Sequence, residues 1–359
     1  MMKNWRDLSW SGVFAATLCP FHSDETIDEE GLAAYFHAIA SVDGVRGLVC
    51  NGHTGEIMSL RPAERDRVTA MAARIVKQMQ RPVRVVSGVS AEGSLEAIDH
   101  ALAAKAAGAD AILLMPPHHW LRFGRSSASA VGFVADVVAG AQVEVVLHQY
   151  PAWTKAGYSL DEMREIIRIP GVVCIKMGTR DMARWRYDYD QLKAVAPDKA
   201  IITCHDEYLL ASLLEAADGA LVGFAGFVPE LIVALVEAAL DADLAKAREA
   251  QQLVDPLVRI VYNFGEPSSE AHQRMKCARW LLGKLSSPVV RRPLRQFEAH
   301  QVAQIRRQLE EIGLSCITPV QGRANGRPDV QGVLSRRIQG GICANSALVD
   351  QLGRQRAGL

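Results

Sequence analysis

The chain has 359 residues, 49% of them apolar, with 40 basic and 40 acidic side chains. This is enough apolar material for one large core or two modest ones. The balanced charge leaves no electrostatic footprint for nucleic acid or an anionic membrane. Residues 1–10 are polar and lack the apolar centre of a signal peptide, and the longest apolar stretch, 221–240, is interrupted by Pro229, Glu230 and Glu237. A cytoplasmic protein without a membrane span is expected. Seven cysteines and no CxxC pair argue against a disulfide framework and against a structural zinc site. Cys19, Cys50, Cys174 and Cys204 fall near predicted strands and read as reduced, buried thiols.

Short β-branched runs alternate with helix-length amphipathic stretches along the chain, the pattern of parallel strands joined by crossover helices. The predicted strands are 13–18, 47–51, 83–87, 111–115, 143–149, 172–177, 200–204 and 220–224. Between them, Thr26-x-x-Glu29 and Ser159-x-x-Glu162 read as capping boxes, and Pro62 suits a first helical turn. One βα unit per roughly 30 residues, eight times over, predicts an α/β fold of the (β/α)8 TIM-barrel type. A doubly wound open sheet is the alternative, but the glycine fingerprint it would carry after its first strand is absent. Three additional C-terminal helices are predicted at about 242–261, 270–283 and 297–312. The predicted organisation is thus a barrel over 1–225, a helical extension of the same unit over 226–314, and a disordered tail over 315–359, where Gly, Gln and Arg replace any apolar period.

In such barrels the reacting groups collect at the carboxyl ends of the strands. Six of the ten histidines map there: His22, His53, His118, His119, His148 and His205. His37, His100, His272 and His300 fall on predicted helices and read as surface or packing residues. A metal site would need convergent ligands, but no His-x-His follows the first strand, and His118 and His119 are adjacent, so on an extended segment they face opposite ways. No metal or other cofactor is expected. The turn Asn51-Gly52-His53-Thr54-Gly55-Glu56 follows the second strand. Its glycines let backbone amides approach an anion and Thr54 adds a hydroxyl donor, so a carboxylate or phosphate would fit.

Lys176 ends the apolar run Val172-Val173-Cys174-Ile175. Desolvation disfavours the charged form of a lysine and leaves a nucleophilic amine, the chemistry that makes Schiff bases with ketones. The competing reading is a lysine that snorkels to solvent or pairs with a carboxylate.

Four segments together resemble one family. Thr17-Leu18-Cys19-Pro20-Phe21, Gly52-His53-Thr54-Gly55-Glu56, Pro151 and Ile175-Lys176 are similar, in order and spacing, to the motifs of the dihydrodipicolinate synthase/N-acetylneuraminate lyase family, over about residues 12–314. The resemblance implies a class I, Schiff-base (β/α)8 lyase or aldolase acting on a 2-oxo acid such as pyruvate with an aldehyde partner, or dehydrating a 3-deoxy-2-oxo sugar acid, and a homo-oligomer, tetramer or dimer. It places the Schiff base on Lys176, the substrate carboxylate on Thr54 and neighbouring amides such as that of Gly55, and a pocket-facing carbonyl on Leu221.

The chain also departs from the family pattern. His148-Gln149-Tyr150-Pro151 stands where Tyr-Asn-Val-Pro is usual, and His53 replaces the first hydroxyl residue of the Thr pair. His118 aligns with a tyrosine that in the synthases reaches across a tight dimer, which makes it a candidate for the neighbouring site. Imidazoles, which titrate near neutral pH, would then replace a hydroxyl relay, with Tyr150 competing with His148 as proton shuttle. Trp153 stands in place of the arginine that binds a second carboxylate in the synthases, and Trp120 lies nearby in sequence as a second aromatic. This weighs against the alternative of a 4-hydroxy-tetrahydrodipicolinate synthase of lysine biosynthesis. A further alternative is a catalytically impaired barrel that binds a 2-oxo acid as a regulator.

Overall fold

A computed structural model of the chain describes residues 5–150, 154–262 and 270–317. Eight parallel strands close into a barrel in sequence order: β1 (Gly12–Ala16), β2 (Val45–Cys50), β3 (Arg84–Val89), β4 (Ala111–Leu114), β5 (Glu144–Gln149), β6 (Val172–Met177), β7 (Ala200–Thr203) and β8 (Gly219–Val222). The predicted (β/α)8 architecture and its C-terminal helices are therefore present. Strand ends differ by at most two residues from those predicted. Leu18 is buried, yet its amide binds the Tyr35 hydroxyl at 3.2 Å rather than a neighbouring strand. Phe224, predicted as the end of a strand, begins the short helix Phe224–Phe227, because its amide donates to Asp206 Oδ1 at 2.8 Å.

The side-chain period of two divides the strands between two layers. Phe14, Val49, Val86, Leu113, Val146 and Cys174 fill the barrel interior, while their neighbours Ala15, Leu48, Val85, Ile112, Leu147 and Ile175 pack under the helices. Trp10 stacks on Phe14, with ring centroids 5.4 Å apart, near the amino ends of the strands. Continuing the inward alternation from Val146 and Cys174 brings His148 and Lys176 into the barrel, and the two are register partners across β5 and β6.

Two of the three predicted helix starts are present as read. Ser159 and Glu162 form the predicted reciprocal box ahead of helix Leu160–Ile166, and Pro62 opens helix Pro62–Lys77. The box predicted at Thr26 is displaced. Helix Glu29–Ala40 is capped by Asp28, whose carboxylate accepts from the Gly31 amide at 2.9 Å, while the Thr26 hydroxyl turns back to Asp24 at 2.6 Å. Two capping candidates competed within three residues, and the carboxylate nearer the helix took the amide.

After β8 come helices Pro229–Leu240, Leu244–Tyr262, Ala271–Leu281 and Ala299–Glu311. Val254, Leu257, Met275, Ile305 and Leu309 share one continuous core with the outer layer of the barrel. Residues 318–359, most of the predicted tail, lie outside the described residues. Among the described residues no helix is long and apolar enough to cross a membrane. Cys19, Cys50, Cys174, Cys204, Cys277 and Cys316 are unbridged thiols, four of them buried in or near the barrel and its helices.

A buried ion pair joins the C-terminal helices to the barrel mouth. Lys276, fully buried on helix Ala271–Leu281, contacts the Glu56 carboxylate, donates to Val289 O at 2.8 Å and lies 4.4 Å over the Phe21 ring. The other Glu56 oxygen accepts from the Arg291 amide at 3.1 Å, and the Arg291 guanidinium takes both oxygens of Glu64 at 2.7 and 2.8 Å. Removing one partner of such a pair strands a charge in a low-dielectric interior. Lys276→Ala is expected to lower unfolding free energy by about 3–5 kcal/mol in a urea titration, against a much smaller loss for truncation of the exposed Lys246.

Candidate active site

Lys176 stands on β6 between His148 of β5 and Ile202 of β7, reaching the carboxyl-terminal mouth of the barrel. Burial holds its ammonium below the ordinary lysine range, opposed by the nearby Cys204 and Asp206. The amine is thereby moved toward its nucleophilic form.

The turn after β2 supplies His53 and Thr54. Asn51 starts it in the left-handed region, φ +54°, with its side-chain amide bound to Arg65 O, Thr69 and Ser87 at 2.9–3.0 Å. Gly88 on β3 is required beneath it, because a Cβ there would stand 1.8 Å from Asn51 O. The amides of Gly55 and Ile57 are spent on Gly52 O, and that of Glu56 on His53 O. This corrects the expectation that Gly55 offers its amide to a ligand. Its role is steric: a Cβ at Gly55 would come 3.1 Å from Thr17 O. The donors that remain for an anion are the Thr54 hydroxyl, on a buried side chain, and the amides that precede it.

The aromatic residues expected to form a relay do converge. The Tyr150 hydroxyl lies 2.9 Å from His53 Nε2 and 3.3 Å from His118 Nε2. His148 packs edge-on against Tyr150 with ring centroids 4.9 Å apart, and stands 5.6 Å from the His53 ring. Its Nδ1 is buried without a hydrogen-bond partner. Within its own chain, His118 thus meets Tyr150. Trp153 and Pro151 lie outside the described residues. Trp120 is a core residue, edge-on to Phe133 and Tyr158 at 5.8 and 6.3 Å. Leu221 points its side chain into the barrel interior, and β7 meets β8 only at Thr203 and Ala220, so the Leu221 backbone makes no ladder pair with β7.

The electrostatics overturn one expectation. Desolvation, with the Lys176 charge next in weight, pushes His53 down to about 3 and His148 well below the ordinary histidine value. Both are neutral at pH 7 rather than poised to titrate there. Burial pushes the Tyr150 phenol well above the ordinary tyrosine range, so it too is neutral. Desolvation is the first cause for all three rings, and the Lys176 amine adds to it for the two imidazoles.

Two further groups reach the site. His272, placed on a helix and read from sequence as surface or packing, is held down to about 4 by burial and then by Lys176 and Lys276, and it depresses His53 in turn. Nothing in its local sequence says that helix Ala271–Leu281 covers the barrel mouth. Asp206, buried, accepts from Phe224 N at 2.8 Å and Tyr262 OH at 2.6 Å, and burial raises it to about 6 near Lys176. Its place just after β7 was the available signal. His205 beside it is a packing residue, its ring nitrogen 2.9 Å from Thr179 O. His22 and His119 are outside the cluster, His22 near Asp28 at 3.8 Å and His119 on Glu92 at 2.7 Å.

Comparison with known proteins agrees with this geometry. Residues 9–312 match the Dihydrodipicolinate synthetase family. A 4-hydroxy-tetrahydrodipicolinate synthase of Anaplasma marginale (strain Florida) is 29% identical over 308 residues, 85% of this chain and 95% of the relative. An N-acetylneuraminate lyase of Rhizobium meliloti (strain 1021) is 27% identical over 305 residues, 84% and 95% of the two chains. Among solved structures, YagE, a prophage protein of E. coli K12 in the dihydrodipicolinic acid synthase family, crystallised in complex with pyruvate, superposes with a TM-score of 0.76 at 25% identity, covering 85% of this chain and 99% of that one. With its closed barrel, its match over nearly the whole chain and relatives that are lyases, the chain belongs to the dihydrodipicolinate synthetase family and is a lyase of that class.

Proposed function

We propose that Lys176 forms a Schiff base with the ketone of a 2-oxo acid such as pyruvate, and that the enzyme makes or breaks the adjacent carbon–carbon bond with an aldehyde partner. The observation that carries this reading is the desolvated Lys176 amine on the inward face of β6, beside the Tyr150 hydroxyl cluster. The neutral amine adds to the carbonyl carbon, and loss of water leaves an iminium. The Thr54 hydroxyl and the turn amides before it hold the carboxylate, which points the ketone at Lys176.

Electrons released when the bond next to the iminium breaks flow to its nitrogen and form an enamine. In the synthetic direction, loss of a proton from the carbon beside the iminium gives the same enamine, which then attacks the aldehyde. Tyr150, not His148, is the shuttle on this reading. Its hydroxyl is bonded to two imidazoles and can accept a proton on oxygen while passing on its own, whereas His148 Nδ1 has no partner among the described residues. His148 and His53 stay neutral against the iminium, where a cationic imidazole would repel it.

Relatives of both synthase and lyase kinds support the 2-oxo acid and leave the aldehyde open, so dehydration of a 3-deoxy-2-oxo sugar acid through the same intermediate belongs to the same proposal. Assembly into a homo-oligomer, tetramer or dimer, is proposed on the family resemblance alone, and a cytoplasmic setting accords with it. A barrel that only binds a 2-oxo acid would gain nothing from an amine held below its ordinary range.

Incubation with pyruvate and borohydride, followed by peptide mass spectrometry, is expected to give a reduced adduct on Lys176 and none in Lys176→Ala; absence of the adduct in the unaltered protein, with pyruvate and other 2-oxo acids, would remove the proposal. Tyr150→Phe is expected to lower kcat by about 10²–10⁴ with little change in KM, and His148→Asn to cost far less; the reverse order would assign the shuttle to His148. Because burial and then Lys176 hold His53 at about 3 and His148 well below the ordinary histidine value, neither imidazole is expected to account for a limb between pH 6 and 8. The shape of the kcat/KM profile over that range is therefore expected to be the same in His148→Asn as in the unaltered protein, and an acid limb that disappears in the variant would show that His148 titrates.

A further inference from the structure

We propose that Glu92 is a positioning residue that holds His118 in the relay and stabilises the imidazolium formed there; this rests on the reading of Tyr150 as the proton shuttle. Glu92 sits in the loop after β3, where one carboxylate spans the turn between β4 and the short helix His119–Phe123. Its Oε1 accepts from the His118 amide at 3.1 Å, and its Oε2 accepts from the His119 amide at 2.9 Å and lies 2.7 Å from His119 Nδ1. The turn is thereby fixed from three points. His118 Nδ1 faces the same carboxylate at 3.9 Å, and its Nε2 reaches Tyr150 on the other side at 3.3 Å.

The tautomers follow from the count of protons. Tyr150 has one hydroxyl hydrogen and two imidazole nitrogens at its oxygen, so it donates to one ring and accepts from the other. A carboxylate on the Nδ1 side of His118 favours hydrogen on Nδ1, which leaves Nε2 as the acceptor of the phenol hydrogen. His53 Nε2, 2.9 Å away, then donates to the phenol oxygen. When a proton leaves the carbon beside the iminium, it is taken up by the Tyr150 oxygen as the phenol hydrogen moves to His118 Nε2. The carbon keeps the electron pair as the enamine, and nothing is oxidised or reduced. His118 becomes an imidazolium opposite Glu92, as in a carboxylate–histidine pair that acts through the imidazole without itself being protonated. His118 is part-exposed and can exchange this proton with solvent.

The test reads proton transfer apart from aldol chemistry. Deuterium uptake into the methyl group of pyruvate in D2O, followed by NMR, is measured for the unaltered protein, Glu92→Gln, His118→Ala and the double variant, with borohydride trapping on Lys176 in each. Glu92→Gln is expected to slow exchange by about tenfold with an unchanged KM for pyruvate and a normal Lys176 adduct. In the His118→Ala background the same substitution is expected to cause no further loss, since the carboxylate acts on the relay through His118. An unchanged exchange rate in Glu92→Gln, or a loss that multiplies with that of His118→Ala, would overturn the proposal. A missing adduct in the unaltered protein would instead remove the Schiff-base reading on which it stands, and this inference with it.

Discussion

The site depends on a charge pair that never touches substrate. Lys276 and Glu56 are both buried, and each is held by a further backbone contact, Lys276 to Val289 O and Glu56 to the Arg291 amide. Glu56 ends the turn that presents His53 and Thr54, and Lys276 shares a helix with His272. Two elements more than 200 residues apart in sequence are thereby locked in register at the barrel mouth. The desolvation of both charges is offset only while they remain together, so this contact specifies one arrangement of turn and helix more than it adds net stability. The helices after the barrel are consequently part of the site's construction.

Within that frame the chemistry is organised by what is kept neutral. Lys176 is surrounded by His53, His148 and His272, all with depressed proton affinity, and by a phenol that stays protonated. The first cause in every case is burial, and the common charged neighbour of the three imidazoles is the amine. Cys204 and then Asp206 supply the opposing influence on the amine. The Asp206 carboxyl, just after β7, is itself raised to about 6 by burial.

The barrel was legible in the sequence because a buried parallel strand writes itself as a short β-branched run, and eight such runs at even spacing admit few other folds. Lys176 was legible for a related reason: a lysine that closes an apolar run is conspicuous. His53, His118 and Tyr150 were legible as candidates from their places after strands, but which ring hydrogen-bonds to which is set by side-chain direction at the barrel mouth, and sequence spacing carries no information on that. The preference between His148 and Tyr150 was undecidable for the same reason, since both lie on one face of β5 and its extension. His272 was misread because its helix follows the barrel and its local pattern resembles that of any packed helix. The near-neutral titration expected of His53 and His148 failed because a pKa records desolvation and neighbouring charge, neither of which is written in a motif.

The junction of β7 with β8 has one ladder pair, Thr203 with Ala220, where the other junctions have four or five. Beyond that pair the Asp218 amide donates to Ile201 O at 2.9 Å, and side chains add to it. At one end of this junction Asp218 Oδ2 accepts from Ile201 N at 2.7 Å; at the other, Asp206 joins Phe224 N to Tyr262 OH. The ring of strands is thus fastened at its last junction by two carboxylates, acting as clasps on either side of the single pair. Barrel closure here leans on side chains of the residues that follow and precede the strands, whereas the β5–β6 wall that carries Lys176 is held by a ladder of five pairs.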